Sequence, residues 1–444
     1  MKFIDLFAGI GGFHKALHEL GHECVFASEL NPILRDVYKE NWAIEPKGDI
    51  KKIVKEEIDS IPDHDILCAG FPCQPFSKAG KQLGREDNRG TLFDEIVKIL
   101  AHKKPNYFIL ENVRYIAKHD NEETWKYMQV AFKDLGYEVD HHDYSPHDFG
   151  VPQHRQRIFI VGSRIGLDGF SFDNVDKHKS ANIDISKFID DKPEIFKKLP
   201  EANLHCIKLW QTLINKLPKD VAIPGFPIWG MEFGATYPFD ATFPHELSVE
   251  ELSQYKGNFG CSLAGLTREQ QLEKLPSYAR VKDEFPPWKK SYIKRSRDFF
   301  QANKHLIGDA VADLSLLPSQ SWQKLEWNVG SGSRQILDYI LQFRASGIRI
   351  KKADFFPSLV CTNTQIPIIG WQRRYINRNE GLRLQSLEGI TLPQTDTAAF
   401  KALGNAVNSK IVKLIAEQLI GFGDLDINIT DHTLPNLFNE HEPA

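Results

Sequence analysis

The chain has 444 residues, 41% of them hydrophobic and 26% charged, which predicts a globular protein of two or three domains. Its net charge of −4 excludes a protein that is basic over its whole surface, but leaves room for a local basic face that binds nucleic acid. Its six cysteines include no C-x-x-C pair, which argues against a zinc ribbon or a thioredoxin-like site. No signal peptide is evident and no apolar run reaches the about 20 residues of a membrane span, so we expect a cytoplasmic protein with free thiols.

Strand-like and helix-like segments alternate over the first 165 residues. The predicted strands are Lys2–Phe7, Glu23–Ser28, Asp65–Ala69, Tyr107–Leu110, Tyr137–Tyr144 and Arg157–Gly162. The predicted helices are Phe13–Leu20, Pro32–Asn41, Thr91–His102 and Glu122–Leu135. This alternation predicts an α/β fold with a doubly wound parallel sheet, and ligands of such sheets bind beyond the carboxyl ends of the strands.

The pattern changes after residue 165. Residues 166–370 are rich in Trp, Pro and Gly and show little periodicity, which predicts a separate domain of loops and short elements. Residues 371–422 again predict helices, at Asn377–Ser386 with a capping box between Asn377 and Glu380, and at Asn405–Ile420. Residues 423–444 predict an acidic tail that frays.

The first predicted strand leads into the glycine-rich turn F-A-G-I-G-G, Phe7 to Gly12. Glycines are needed at such a turn when a ligand lies against the backbone and the helix N-terminus. Glu29 follows twenty residues after Gly9, where an acid meets ribose hydroxyls in dinucleotide sites, and Asp49 is a further candidate for an adenine amino group. The turn favours a nucleoside such as S-adenosylmethionine at least as well as NAD, and a tight turn without a ligand is the alternative.

Three further candidate sites are expected at the same edge of the sheet. The segment C-A-G-F-P-C-Q-P-F-S begins with Cys68, which suits a core side chain, and sets Cys73 between two prolines, where a thiol can be aimed. Glu111 ends an apolar strand, where a carboxylate is costly unless it has a partner. Arg155 and Arg157, spaced i, i+2 in Q-H-R-Q-R, point to one side of an extended segment and could hold an anion or a planar base.

Two basic clusters lie later in the chain. The first runs from Arg280 to Lys304 with eight Lys or Arg residues against three acids. The second contains Lys351, Lys352, Arg373, Arg374 and Arg378. Both could face nucleic acid, but a charge run is more often a solvated face, and this alternative stays open.

Eight stretches, taken in order, resemble a known family. They are F-A-G-I-G-G, the acid of S-E-L-N, the Asp of G-D-I, G-F-P-C-Q-P-F-S, E-N-V, Q-H-R-Q-R, R-L-Q-S and G-N-A-V, within residues 1–165 and 370–420. With them the chain resembles the cytosine-5 DNA methyltransferases of bacterial restriction–modification systems. One departure is Leu387-Glu388, which stands where the family usually shows Phe-Pro after R-L-Q-S.

The resemblance implies a Rossmann-like methyltransferase sheet in residues 1–165, completed by residues 371–422, with an irregular target-recognition domain inserted at residues 166–370. It implies that Cys73 adds to C6 of a flipped cytosine and that Glu111 protonates or holds N3. Arg155 would orient the base or its phosphate, with Arg157 supporting the site. The methyl group would come from S-adenosyl-L-methionine.

The resemblance also implies contacts to the cofactor and to DNA. The cofactor residues would be Phe7, Gly9, Gly11, Glu29, Asp49, Ile50, Leu92, Asn405 and Val407, with the C-terminal helix folded back against the first strands. The segment from Lys78 to Gly90 resembles a lid that closes over the flipped base. The candidate DNA contacts are Ser77, Lys78, Lys81, Arg85 and Arg89 around this lid, and Lys289, Lys290, Arg295 and Arg297 in the first basic cluster.

Three alternatives compete with this interpretation. A tRNA cytosine-5 methyltransferase of the same family would share most stretches, but its usual late C-F-T triplet is replaced by V-C-T-N at residues 360–363. An NAD-dependent Rossmann oxidoreductase would leave Cys73 and Glu111 without a role, and a catalytically silent DNA-binding protein would not need them. We therefore expect a monomeric, cytoplasmic, nucleoid-associated enzyme without a metal, which binds double-stranded DNA and no membrane. A cognate restriction endonuclease would be its functional partner.

Overall fold

The computed structural model describes residues 1–71, 92–360 and 365–421. The strands in these ranges are β1 (Lys2–Leu6), β2 (Glu23–Ser28), β3 (Ile66–Gly70), β4 (Tyr107–Val113), β5 (Glu138–Tyr144), β6 (Gln153–His154), β7 (Arg157–Ser163), β8 (Ile228–Trp229), β9 (Lys324–Asn328), β10 (Ile340–Arg344), β11 (Gly347–Lys351), β12 (Phe356–Pro357), β13 (Ile368–Ile369) and β14 (Arg374–Tyr375). The helices are α1 (Gly12–His18), α2 (Pro32–Trp42), α3 (Ile50–Glu56), α4 (Leu92–Lys103), α5 (Glu123–Asp134), α6 (Phe172–Asp176), α7 (Glu201–Lys216), α8 (Val249–Leu252), α9 (Arg268–Glu273), α10 (Pro287–Ser315), α11 (Arg378–Gln385), α12 (Asp396–Asn405) and α13 (Ser409–Ile420).

The first sheet has the strand order β2-β1-β3-β4-β7-β5. The strands β2, β1, β3 and β4 are parallel neighbours, as the alternating pattern predicts. The expectation of a wholly parallel sheet is wrong for β7, which pairs antiparallel with both β4 and β5. The chain returns from β5 to β7 through the short strand β6, without the crossover helix that usually joins parallel neighbours. The α/β fold class is confirmed.

Helices cover both faces of this sheet. On one face Phe13 and Leu17 of α1 pack with Ile411 and Ile415 of α13, in a cluster that also holds Cys68. The opposite face is covered by apolar side chains of α3, α4 and α5. Cys68 is fully buried, which confirms its interpretation as a core side chain.

The C-terminal segment differs from the single helix predicted at Asn405–Ile420. Helix α12 ends at Asn405, and α13 begins after Asn408, whose side chain accepts a hydrogen bond from the backbone N–H of Ile411. This N-cap satisfies one of the free N–H groups of the new helix. The predicted return of this segment onto the first strands is confirmed, because Ile411 and Ile415 of α13 pack in one cluster with Phe3 of β1 and Cys24 of β2.

The middle region is more regular than the sequence predicts. It contains a second sheet of order β14-β13-β10-β11-β9-β8, against which α7 and the 29-residue helix α10 pack. The expectation of loops and short elements is therefore wrong for these helices. The buried residues Ile293, Phe300, Ile307 and Leu314 of α10 recur every seventh position and give it one apolar stripe.

Two observations concern the predicted division of the chain at residues 165 and 370, which stays a prediction. Phe172 and Val175 lie after residue 165 but pack with Ile411 in the core of the first sheet. The strands β13 and β14 of the second sheet lie on either side of residue 370. Within the described ranges, no helix is long and apolar enough to cross a membrane.

Candidate active site

The carboxyl ends of β1, β3 and β4 and the beginning of β7 meet at one edge of the first sheet, which we call the catalytic edge. Val113, at the end of β4, is paired with Arg157, at the beginning of β7. In a wholly parallel sheet the beginning of a strand would lie at the opposite edge, so the reversed direction of β7 is what brings Q-H-R-Q-R to Glu111.

Glu111 is a buried carboxyl group at this edge, with 7% of the residue exposed. Its Oε1 forms an ion pair with Nε of Arg157 at 3.0 Å. Burial raises the pKa of Glu111 above its usual value, although the positive charges of Arg157 and Arg155 act in the opposite direction. The site therefore favours a carboxyl group that can carry and deliver a proton more readily than an exposed glutamate.

The chain that leads to Cys73 is anchored beside Glu111. Gly70, the last residue of β3, pairs with Glu111 across the two parallel strands. The side-chain amide of Asn112 donates a hydrogen bond to the carbonyl of Phe71 at 3.2 Å. Residues 72–91 lie outside the described residues, so the interpretations of Cys73, Ser77, Lys78, Lys81, Arg85 and Arg89 stay predictions.

Arg155 holds three segments together at the catalytic edge, and only 4% of it is exposed. Its Nη1 donates to the carbonyl of Leu359 at 3.2 Å and its Nη2 to the carbonyl of Ala406 at 3.1 Å. Its backbone N–H donates to Oγ of Ser145 at 2.9 Å. Arg155 and Arg157 both influence Glu111, as their spacing indicates, but Arg155 also fixes the positions of Leu359 and Ala406.

The glycine-rich turn has the backbone that a close ligand needs. Phe7, Gly9 and Gly11 have positive φ values of 57°, 56° and 89°, which only glycine adopts without strain. The carboxylate of Glu29 accepts a hydrogen bond from the N–H of Gly9 at 2.9 Å. A Cβ on Gly9 would have no described atom within 4 Å, so this side of the turn is open.

A buried polar network that the sequence analysis missed supports the same turn. The indole of Trp42 fills the space that a Cβ on Gly11 would need, 2.2 Å from it. His14 stacks on Trp42 with ring centroids 4.2 Å apart, and its Nδ1 lies 2.7 Å from the hydroxyl of Tyr38. That hydroxyl donates to Asp5 at 3.2 Å, and burial raises the pKa of Asp5. A charged residue inside the apolar strand β1 was the signal available in the sequence.

The other predicted cofactor residues differ in burial and in local structure. Asp49 caps α3, because its side chain accepts a hydrogen bond from the N–H of Lys51 at 3.0 Å. Ile50 is buried and Leu92 is partly buried in the same cluster. Asn405 is exposed at the end of α12, and Val407 packs against Gly12. Their contacts with a ligand stay predictions.

The candidate DNA contacts of the first basic cluster occupy different environments. Arg295 is exposed, with its guanidinium 3.9 Å from the ring centroid of Phe226. Nζ of Lys289 lies within 6 Å of three aromatic rings, while Lys290 forms an ion pair with Asp240 at 3.0 Å.

Arg297 differs from these three residues because it points into the protein. It forms an ion pair with the fully buried Glu232 at 2.9 Å and donates to the carbonyl of Tyr237 at 2.9 Å. The structure thus corrects its assignment as a surface cation, and we leave Arg297 out of the proposed DNA contacts.

Comparisons with known proteins agree with this geometry. The family model for C-5 cytosine-specific DNA methylases matches residues 1–224. The type II methyltransferase M.HhaI of Haemophilus parahaemolyticus is 44% identical over 39% of this chain and 52% of its own length. M.AluI of Cellulosimicrobium cellulans is 29% identical over 94% of this chain and 91% of its own length.

The chain thus spans about half the length of some of the curated relatives that it matches. A prophage-encoded protein of E. coli, described as a DNA modification methyltransferase, has a similar fold with a TM-score of 0.53. Its sequence is 17% identical, over 95% of this chain and 98% of that chain, so the likeness bears on the fold alone. The family model covers half of the chain and includes Glu111, Arg155 and Arg157. The chain belongs to the C-5 cytosine-specific DNA methylase family.

Proposed function

We propose that the protein is a sequence-specific DNA (cytosine-5)-methyltransferase. The observation that carries the proposal is the catalytic edge, where the buried carboxyl group of Glu111 lies beside Arg157 and beside the anchored chain that leads from Phe71 to Cys73. An acid of raised pKa and a nucleophile two residues beyond an anchored carbonyl are the two groups that addition to a cytosine ring requires.

Cys73 acts as the nucleophile in this proposal. Its thiolate forms a bond to C6 of cytosine, and the ring electrons move toward C5 and N3. Glu111 delivers its proton to N3, which removes the negative charge that the addition would otherwise leave on the ring. After C5 has taken the methyl group, a base removes the C5 proton, the electron pair of that bond expels the thiolate of Cys73, and the proton on N3 returns to Glu111.

The turn at Phe7–Gly11 fits S-adenosyl-L-methionine, since its open side at Gly9 lies next to the carboxylate of Glu29. When bound, this cofactor supplies the electrophilic methyl group. Glu29 would accept hydrogen bonds from the ribose, Asp49 and Ile50 would hold the adenine, and Val407 would keep the turn closed from behind. Phe7, Gly11, Leu92 and Asn405 complete the proposed cofactor site.

The substrate in this proposal is double-stranded DNA. A cytosine inside the duplex is stacked and out of reach, so the enzyme must flip it out to the catalytic edge. Ser77, Lys78, Lys81, Arg85 and Arg89 would close over it, while Lys289, Lys290 and Arg295 contact phosphates. The enzyme would work as a cytoplasmic, nucleoid-associated monomer and protect host DNA from a cognate restriction endonuclease.

A covalent trap tests the proposal. Duplex DNA that contains 5-fluorocytosine across a broad pool of sequences should form an adduct with the protein in the presence of S-adenosylmethionine, because fluorine cannot leave as a proton does. Cys73→Ala should abolish both the adduct and methyl transfer. Cys261→Ala, which removes a half-exposed free thiol, is the matched control and should keep both.

Two outcomes would count against the proposal. Absence of any adduct across the pool would contradict the nucleophilic mechanism. Methylation of tRNA without methylation of duplex DNA would favour the tRNA-modifying alternative. Bisulfite sequencing of DNA from a host that expresses the protein would then give the position and the recognised sequence together.

A further inference from the structure

One face of the second sheet is polar although the other lies in the hydrophobic core. The strands β9, β11 and β10 are neighbours, and their alternate residues Leu325, Trp327, Ile348, Ile350 and Leu341 pack into the core. The residues between them face the other way. On that side Glu326 is paired with Arg349, and Arg349 with Gln342, across the three strands.

Cations outnumber acids on this face. Oε1 of Glu326 accepts a hydrogen bond from Nε of Arg349 at 2.9 Å, and Oε2 pairs with Arg344. Lys351 lies two residues after Arg349 on the same side of β11. We call Glu326, Arg344, Arg349 and Lys351 the Glu326 cluster. It contains three cations and one carboxylate, and the carboxylate of Asp354 also acts on Lys351, so one positive charge remains uncompensated.

The Glu326 cluster is crowded with like charge. Burial lowers the pKa of Lys351, and the nearby Arg349 lowers it further. The same two causes, burial and then Arg349, lower the pKa of Arg344. For Glu326, burial acts to raise the pKa, but Arg349 and Arg344 outweigh it. An anion of the solvent or of a ligand would relieve this repulsion.

The cluster is joined to the catalytic edge by a short path. Nζ of Lys351 lies 4.2 Å from the ring centroid of Phe355. The ring of Phe355 is 5.7 Å from that of His154, the residue before Arg155. The strand β12, which follows Phe355, pairs with β6 in a separate two-stranded sheet, which ties the segment after β11 to the segment just before Arg155.

We propose that Arg349 and Lys351 bind a phosphate of duplex DNA beside the flipped cytosine. Glu326 and Arg344 are positioning residues that hold the guanidinium of Arg349. Arg349 uses Nε for Glu326, and among the described residues it makes no further hydrogen bond, so its two terminal nitrogens can form a fork on a phosphate. This inference rests on the proposed function and goes beyond it by assigning a DNA contact to the second sheet.

DNA is favoured over other anionic partners for two reasons. The uncompensated charge lies next to the edge where the base must be presented, and a duplex carries a phosphate on each strand at every step. Glu326 does not oppose a phosphate as a free carboxylate would, because two guanidinium groups already neutralise it. Arg349 and Lys351 are therefore available to a phosphate, while Glu326, which also pairs with Arg344, holds the guanidinium of Arg349 in place.

The test is the salt dependence of equilibrium binding to duplex DNA of mixed sequence, measured by fluorescence anisotropy. Removing one phosphate contact should reduce the slope of log K against log salt by about 0.9. We expect part of this loss for Lys351→Gln and for Arg349→Gln, and the whole of it for the double variant, because both cations bind the same phosphate. Arg349→Lys keeps the charge and should keep most of the slope.

Lys126→Gln is the matched control, because it removes an exposed lysine on α5 that pairs with Glu123. It should leave the slope and the methyl transfer unchanged. Lys351→Gln leaves the pairs of Glu326 intact, so it remains informative if Arg349→Gln unfolds.

Unchanged slopes for Lys351→Gln and the double variant, in a protein whose wild type methylates DNA, would overturn the inference alone. A loss of affinity confined to one sequence would overturn it as well, since a phosphate contact weakens binding to all sequences alike. A wild type that does not methylate DNA would overturn the proposed function instead.

Discussion

The first sheet and the middle region each contain a buried glutamate that forms an ion pair with an arginine. The two glutamates differ in their other hydrogen-bond partners. Glu232, in the middle region, is fully buried and accepts hydrogen bonds from the hydroxyls of Tyr237 and Tyr278 in addition to its ion pair with Arg297. Glu111, at the catalytic edge, has its ion pair with Arg157 and a raised pKa.

This difference separates a structural carboxylate from a reactive one. Burial raises the pKa of the two phenols at Glu232, and the glutamate raises it further, so both hydroxyls keep their protons and donate them as hydrogen bonds. The partners of Glu232 named above are all side chains of the middle region. Glu111 is held less completely, which leaves its proton available to a substrate.

The largest expected effect is on catalysis at Glu111. Glu111→Gln keeps the shape of the side chain but removes its acid, so methyl transfer should fall by about 10²- to 10⁴-fold. The free energy of unfolding should stay level or rise. The folded chain holds the proton of Glu111 more tightly than the unfolded chain, so ionisation above the ordinary pKa of 4.5 costs stability, and the amide avoids this cost.

Methyl transfer to duplex DNA and chemical unfolding, measured on the same preparation, check this prediction. A variant that loses activity only because it unfolds would show that Glu111 belongs with Glu232 as a structural group.

The second effect is on stability at Glu232. Glu232→Ala leaves Arg297 without its partner inside the domain and opens a cavity, and should lower the free energy of unfolding by about 3–5 kcal/mol. Glu250→Ala, at an exposed position on α8, is the control and should change it by less than about 0.5 kcal/mol. Urea unfolding followed by tryptophan fluorescence is the measurement, and equal midpoints for both variants would contradict the structural role.

The smallest expected effect is on the pH dependence of stability, and it concerns His14 beside the first sheet. Burial and then the nearby His18 lower the pKa of His14 to about 3. In the unfolded chain His14 takes up a proton below its ordinary pKa of 6.5, while in the folded chain it stays neutral, so stability is present above pH 6.5 and is lost as the pH falls toward 3.

His14→Gln should remove up to about 1.4 kcal/mol per pH unit from the slope of stability against pH in this window. Unfolding free energies between pH 7 and pH 4 are the measurement, with wild type as the reference. The same slope in both proteins would mean that His14 gains its proton without unfolding the turn.

The features of the fold that the sequence predicts depend on local patterns. Apolar runs such as that of β3 and the capping box of Asn377 and Glu380 are encoded by neighbouring residues, and the structure has both. The position of Glu111 at the end of an apolar strand is a pattern of the same kind. The burial of Cys68 was predictable as well, because Cys68 lies within the apolar run of β3.

Other features were not predictable because they depend on direction or on distant partners. The alternation of side chains along β7 is the same in either direction, so the sequence pattern does not show that the strand is antiparallel. Arg155 bonds to Leu359 and Ala406, more than 200 residues away along the chain. The buried apolar residues of α10 recur every seventh position. Basic and aromatic residues stand between them, so the sequence does not show a clear helical pattern there.

The contact between Val407 and Gly12 has a consequence for how the protein is made. The side chain that packs behind the glycine-rich turn is synthesised almost four hundred residues after the turn itself. A nascent chain that has not reached α13 therefore lacks one wall of the cofactor turn. During translation one apolar face of the first sheet stays partly uncovered until α13, which follows the second sheet in the chain, has been synthesised.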